Sequence, residues 1–368
     1  MATWEGVRAL RLARGYLDQR APRGDLVRVV SEVCGLHAQV ASAAELQAWA
    51  RVEDVRPDDV REALWERRSL VRTWLMRGTL HLVPAADLPV YVAALSTNDR
   101  WWKGAFLRYV DLTAEELRAA LEAIRASLGA RPLTRERLAV KVGERMGERV
   151  ADRLRSNWGE LLKPAAFHGF LCSGPPRGQQ VTFVRPERWL GGWEEHDSAR
   201  AIEEVLRRFL RAYGPATRES FARWWGDRPA PAGRVLEAIA GETSEVDVEG
   251  TPGRVLAGDG RALEGAAPTG SVRLLPGFDP YVMGFHPREH LVPPEHSARV
   301  FRQAGWVTPT LLVDGRVEGV WGLDRVGGRI EVTVEPWGRL PAAVRRTVGE
   351  EVDLLGRFLD APAALSVA

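Results

Sequence analysis

The feature that most limits what this chain can fold into is a pattern returning about every hundred residues: amphipathic helical stretches, then two short apolar strands joined by a tight turn. In the first copy, residues 7–12, 26–33, 43–51 and 60–67 carry apolar residues at helical spacing. Residues 69–76 and 79–83 are then β-branched and apolar, and Arg77-Gly78 between them supplies a hairpin turn. Pro84-Ala-Ala-Asp87 ends the second strand, and a further helix is expected from 91 to 102.

The second copy opens at Thr113, which can cap a helix while Glu116 completes a capping box. Another helix starts at Thr134, a third runs through 150–154, and Trp158-Gly-Glu-Leu-Leu-Lys163 leads to strands at 170–172 and 181–184. The glycine- and proline-rich stretch 173–178 is the expected turn between them. The third copy has helices at 199–213, stopped by Gly214, at 217–225 and at 233–240, then strands at 245–248 and 254–257 around Gly250-Thr-Pro-Gly253. Helices followed by one hairpin are the layout of a winged helix. The chain is therefore expected to be α+β, with three tandem winged-helix units over 1–112, 113–197 and 198–265. Beyond Gly265 the texture changes to short strands at 272–275, 307–313, 317–323 and 330–334, turned at Asp314-Gly315 and Gly327-Gly328. That spacing predicts a small C-terminal β-barrel over 266–368, closed by a final helix at 341–359.

With 368 residues, 45% of them hydrophobic, the chain can bury large cores. Most of its tryptophans are expected there, Trp4, Trp65 and Trp158 included, because they fall on helix faces that already carry leucine or valine. No apolar run approaches the roughly 18 residues a membrane span needs, so a cytoplasmic protein with no membrane partner is expected. Cys34 and Cys172 lack a second cysteine or a histidine at ligand spacing, which argues against a disulfide framework or a zinc site. The formal net charge of +2 sums regions of opposite sign: residues 131–163 hold nine basic and five acidic groups, whereas 242–264 hold six acidic and two basic. A basic face on a balanced protein suits a polyanion, although a solvated helix face gives the same run.

No nucleotide-binding glycine loop opens a helix after a strand, so neither ATP nor NAD is expected. His-Glu-x-x-His and Gly-x-Ser-x-Gly are both absent. His286-Pro-Arg-Glu-His290 and His296 lie among prolines and read as loop histidines, so no metal and no cofactor are expected. In Gly35-Leu-His-Ala-Gln-Val40, between two predicted helices, Gly35 can end the first while His37 and Gln39 project from the turn with one orientation. On spacing alone these two read as capping or core-edge polar groups.

Longer blocks change that reading. Leu36-His-Ala-Gln39 with Ala44-Glu-Leu-Gln-Ala-Trp-Ala-Arg51, then Val71-Arg-Thr-Trp-Leu-Met-Arg-Gly-Thr-Leu-His-Leu82, Leu274-Leu-Pro-Gly-Phe-Asp-Pro-Tyr281 and Thr310-Leu-Leu-Val-Asp-Gly-Arg316 resemble, in order and across nearly the whole chain, the AlkZ/YcaQ family of bacterial DNA glycosylases. The resemblance implies three winged-helix units and a β-barrel around duplex DNA, in agreement with the spacing. It also implies hydrolysis of the bond between deoxyribose and an alkylated purine. Some members unhook interstrand crosslinks, and some protect producers of DNA-alkylating antibiotics. The family's catalytic motif is commonly Gln-x-Gln or Gln-x-Asp, and His37-Ala38-Gln39 stands in its place here, a His-x-Gln version that resembles members linked to resistance against intercalating alkylators. His37 and Gln39 are thus the expected catalytic residues, with the adduct left open.

Arg72, Arg77, Thr79 and His81 lie on or beside the first hairpin, where they are expected to grip phosphates or reach a groove; an exposed strand face is the alternative. Lys163 is a further phosphate candidate. Asp279 and Tyr281 are expected near the lesion, with an ordinary strand-end turn as the alternative. The resulting expectation is a monomeric, monofunctional glycosylase whose partner is duplex DNA containing alkylated bases. Tandem winged helices alone equally suit a non-catalytic DNA-binding protein or transcriptional regulator.

Overall fold

Threonines set the starts of several helices. Thr113 Oγ1 accepts from the Glu116 amide while the Glu116 carboxylate accepts from the Thr113 amide, which is the capping box read in the sequence. Thr3, Thr134 and Thr217 accept in the same way from the amides of Gly6, Arg137 and Ser220. The structure, a computed structural model, describes residues 2–156 and 158–368. The chain packs as two compact units: one takes the N-terminal stretch up to Val60 together with Leu206–Ala368, and the other is Arg61–Val205.

The N-terminal part of the first unit holds α1 (Trp4–Arg14), α2 (Leu26–Glu32), the two-residue β1 (Leu36–His37) and α3 (Ala41–Trp49), before α4 (Pro57–Trp65) carries the chain onward. The second unit begins with the hairpin β2 (Leu70–Trp74) and β3 (Leu80–Pro84), followed by α5 (Leu88–Leu95), α6 (Gly104–Val110), α7 (Ala114–Ser127), β4 (Leu133–Thr134), α8 (Arg135–Met146), α9 (Glu148–Arg155), α10 (Leu162–Phe167), β5 (Cys172–Arg177), β6 (Gln180–Val184) and α11 (Pro186–Trp189). The helix expected over 91–102 stops at Leu95. Ser96 Oγ donates to the Ala93 carbonyl and Asn98 Oδ1 accepts from the Arg100 amide, local bonds that compete with the helical ladder.

The stretch 173–178, expected to be a turn, lies mostly in β5 instead. Pro175 and Pro176 are tolerated because β5 is the edge of the sheet β4-β6-β5 and its register breaks between Gly174 and Arg177. Trp158 also departs from expectation: it is 75% exposed, Trp65 is half-buried and Trp4 is buried. The leucines that fill this part of the core, Leu154, Leu161 and Leu162, leave Trp158 outside it.

After α12 (Ser198–Tyr213) the chain adds α13 (Arg218–Trp225), α14 (Pro229–Ala238) and the hairpin β7 (Thr243–Val248) and β8 (Thr251–Leu256). This hairpin turns at Glu249-Gly250, both at positive φ, so Thr251–Gly253 are strand rather than turn. Then come α15 (Asp259–Gly265), β9 (Val272–Leu275), α16 (Pro280–Gly284), α17 (Ser297–Val300), β10 (Thr310–Val313), β11 (Arg316–Val326), β12 (Arg329–Pro336), α18 (Ala342–Phe358) and β13 (Ala363–Val367). The turns Asp314-Gly315 and Gly327-Gly328 fall where the sequence puts them.

The expected β-barrel is not closed. Its strands form an open five-stranded sheet, β13-β12-β11-β10-β9, with β13 and β9 as edges. The unforeseen β13 pairs parallel to β12, which requires a crossover, and α18 supplies it. That helix packs against both edge strands, β9 and β13, and buries Val348, Val352, Leu355 and Phe358, so the edges cannot meet to close a barrel. Glu351, buried on α18, accepts both guanidinium nitrogens of Arg20 at 2.8 and 2.9 Å and lies 3.6 Å from Arg273 on β9. Among the described residues, no helix is long and apolar enough to cross a membrane.

Phe209 on α12 is fully buried against Tyr213, Phe221 and Trp224, with ring centroids 5.0 to 5.5 Å away. Removing so many contacts leaves a cavity that rigid aromatic neighbours cannot refill. Phe209→Ala is expected to lower stability by about 3–5 kcal/mol; chemical denaturation should show this, and a loss below about 1 kcal/mol would mean the cluster collapses around the gap.

Candidate active site

The turn between α2 and α3 is built before any of its side chains act. Val33 ends α2, the Cys34 amide donates to Ser31 and the Gly35 amide to Val30 at 2.9 and 2.8 Å, and both residues adopt positive φ. This paired closure is a Schellman motif, with Cys34 where glycine is usual. It releases the chain into the extended Leu36–His37 step of β1. His37 and Gln39 do not share one environment as expected: His37 is buried and Gln39 is exposed.

His37 is held by its backbone and by its ring. The Gln47 side chain on α3, wholly buried, accepts from the His37 amide at 2.9 Å and donates to the His37 carbonyl at 3.0 Å. That side-chain amide leaves neither backbone group of His37 unsatisfied. The imidazole lies flat against Phe278, with centroids 4.8 Å apart and an angle of 12°. Phe278 has φ of 60°, a conformation disfavoured for an aromatic residue that persists only where its surroundings impose it.

One buried ion pair imposes it. Arg51, one turn beyond Gln47, donates to the Gln47 carbonyl at 3.0 Å and to both carboxylate oxygens of Asp279 at 2.7 Å. Side-chain exposure is 1% for Arg51 and 0% for Asp279. Asp279 also caps α16 by accepting from the Tyr281 amide, and Tyr281, likewise buried, donates its hydroxyl to the Gly315 carbonyl. Burial pushes the Tyr281 phenol up, so it stays protonated at neutral pH and able to donate. The connections form a closed loop: Arg51 fixes Gln47, Gln47 fixes the His37 backbone, and Asp279 fixes the turn whose Phe278 ring covers the imidazole. Gln47 and Arg51 escaped sequence reasoning. Their signal was two polar residues four apart in an alanine-rich helical segment, without any hint of Asp279 as partner.

The remaining candidates belong to the second unit. Arg72 is partly buried on β2, and burial lowers its guanidinium pKa. Arg77 and Gly78 form the hairpin tip, both at positive φ. His81 is buried, with Nδ1 2.9 Å from the Thr79 carbonyl and Nε2 3.4 Å from Arg77, an arrangement that fits a neutral ring protonated on Nδ1. Thr79 Oγ1 donates to the Met76 carbonyl. A β-carbon on Gly78 would lie 3.8 Å from Arg100 Nη1 and 4.0 Å from Lys163 Cδ, so the hairpin tip, Arg100 and Lys163 gather in one place. Burial lowers the pKa of the Lys163 ammonium.

Two of the histidines between Phe285 and Ser297 stack on aromatic rings. His290 stacks on Trp4 at 3.9 Å and His296 on Trp337 at 4.2 Å. His286 is buried beside the positive charges of Arg223, Arg288 and Arg11; burial first, and then those charges, push its pKa down to about 3, so it is neutral at neutral pH. Among the described residues, no group of three or more His, Cys, Asp or Glu is placed to hold a metal ion. Cys34 and Cys172 are both buried.

Asp279→Asn is expected to leave the Arg51 charge buried without its counter-charge and to cost about 3–5 kcal/mol. The paired exchange Arg51→Met with Asp279→Leu should recover much of that loss. Thermal unfolding of both variants tests this; an Asp279→Asn protein that melts with the wild type would show that the pair holds nothing in place.

Residues 30–358 match the family model described as DNA glycosylase AlkZ-like. The interstrand DNA cross-link repair glycosylase of Streptomyces sahachiroi is 36% identical over 327 residues, covering 87% of this chain and 88% of that protein. The solved structure of the Streptomyces sahachiroi DNA glycosylase AlkZ superposes with a TM-score of 0.89 at 33% identity, over 100% of both chains.

Proposed function

Because this chain belongs to the AlkZ-like DNA glycosylase family, we propose that it hydrolyses the N-glycosidic bond of cationic alkylated purines, chiefly guanine adducts, in duplex DNA. The observation that carries this reading is the His37-Ala38-Gln39 turn, in which an exposed glutamine follows a histidine locked by its backbone and its ring. A similar protein named as a cross-link repair glycosylase extends the proposal to interstrand crosslinks and bulky antibiotic adducts.

Alkylation of the guanine ring nitrogen in the major groove leaves a cationic base that departs without a strong general acid. The remaining demand is at the sugar, where a developing oxocarbenium needs a placed water and nearby negative charge, which backbone phosphates supply. The Gln39 carbonyl accepts a hydrogen bond from that water and orients it, and the His37 imidazole shares it. As water bonds to C1′ the glycosidic bond breaks, its electron pair leaves with the base and neutralises it, and the proton released by the water passes to solvent. A fixed turn suits this chemistry, because a neutral amide contributes orientation rather than basicity.

Each set of helices with its following hairpin is read as a winged-helix unit, giving three over 1–112, 113–197 and 198–265, ahead of the open sheet and α18 in 266–368. Arg72, Arg77, Thr79, His81 and Lys163 then contact duplex DNA, with Arg77 and Lys163 at the gathered hairpin tip closest to its phosphates. Asp279 and Tyr281 serve the lesion site from behind, through Arg51 and Phe278. The enzyme acts as a monomer.

Base release from a duplex carrying one cationic guanine adduct tests the reading under single-turnover conditions. Wild-type protein should excise the base, and Gln39→Ala should be slower by about a hundredfold or more while binding DNA normally. Excision by Gln39→Ala at the wild-type rate would remove the turn from the chemistry. Separately, Lys163→Met should lower the slope of log affinity against log salt by about one, as loss of one phosphate contact requires; an unchanged slope would place Lys163 away from the backbone.

A further inference from the structure

Beside the catalytic turn stands a feature that the reading above does not use. Trp306 is 51% exposed, and its ring packs nearly perpendicular to that of Phe278, with centroids 4.9 Å apart at 73°. Since Phe278 lies flat on His37, the indole is two ring contacts from the imidazole. The loop that carries it is stiff. An antiparallel bridge joins Phe301 to Val307, the Arg302 amide donates to the Trp306 carbonyl at 2.8 Å, and Ala304 and Gly305 turn the chain at positive φ. Its base is pressed against the Phe278 turn, where a β-carbon on Gly277 would come within 2.8 Å of the Val307 carbonyl. Every residue from Arg302 to Trp306 is exposed.

An exposed indole costs solubility and gains nothing from the core, whereas a rigid loop presenting an arginine, a glutamine and a tryptophan has the chemistry of a nucleic-acid contact: a cation for phosphate, an amide for a base edge and a flat apolar face for a base. We propose that Trp306 is a specificity-determining residue of the same site, stacking on a nucleobase at the lesion and so keeping the damaged nucleotide in register with Gln39. The proposal rests on the catalytic reading of the His37–Gln39 turn. The indole is nearly perpendicular to the Phe278 ring that lies on His37, so a base on its exposed face stacks along a second direction and does not have to displace Phe278 from the imidazole.

The test uses full-length protein and duplexes with one cationic guanine adduct, in which 2-aminopurine is placed in turn opposite the lesion and beside it. Stacking on an indole changes 2-aminopurine fluorescence, so wild type should give a signal on binding at one of the two positions. Trp306→Ala should abolish it and lower kcat/KM by about tenfold, the usual worth of one aromatic–base stack, while Trp306→Phe should restore most of both. Equal signals and rates for wild type and Trp306→Ala would overturn the proposal, as would absence of any signal with wild type at both positions. Excision by wild type itself bears on the catalytic reading, and the fluorescence signal bears on Trp306, so the two failures are distinguishable.

Discussion

The candidate site depends on an ion pair that takes no part in the chemistry. Arg51 and Asp279 are both removed from water, and such a pair gives little net stability, since desolvation offsets most of its attraction. What it supplies is placement. Its two-pronged geometry fixes the end of α3 against the start of α16 at one angle and one distance. From that anchor two short arms reach the same histidine, one through Gln47 to the backbone and the other through the Phe278 turn to the ring. Each arm on its own is worth about 1 kcal/mol, too little to hold a turn rigid. Tied to a pair whose rupture costs several times more, they restrain the histidine together.

Chemistry that relies on orientation has use for this economy. In the reaction proposed above, a glutamine cannot act by shifting a pKa, so its contribution is the angle at which it offers an oxygen. A mobile turn would spread that angle over many directions. The Schellman closure at Cys34 and Gly35 governs entry to the turn, and Gln47 governs its middle. The strained φ of Phe278 is tolerated for the same reason, since the turn that bears it is pinned by Asp279 on one side and by the Gly277–Val307 approach on the other.

The legible parts of this fold were those coded within a few residues. The capping box at Thr113, the stop at Gly214, and the turns at Asp314-Gly315 and Gly327-Gly328 each carry their own instruction, and each formed where it was read. The open sheet was misjudged because β13, Ala363–Val367, is a short run beyond the final helix and pairs with β12 only by way of that helix. Trp158 was misplaced because a helical face with leucines does not say how much of the core those leucines fill. For the candidate site, the resemblance of the surrounding blocks singled out His37 and Gln39, and the Phe278-Asp279-Pro-Tyr281 segment was noticed without its contact to the His37 ring. Gln47 and Arg51 were not legible, because the meaning of a buried arginine lies in a carboxylate 228 positions away.

That separation has a consequence for how the protein comes into being. The second unit is one unbroken stretch, Arg61–Val205, and can gather its core while the remainder is still being synthesised. The first unit cannot, because it combines the N-terminal stretch with everything after Leu206, and the turn at residues 37–39 waits for Phe278 and Asp279 to emerge. A nascent or truncated chain ending before α16 therefore has His37 and Gln39 without the clamp that orients their turn. The geometry of the turn at residues 37–39 is thus settled only once α16 has joined α3.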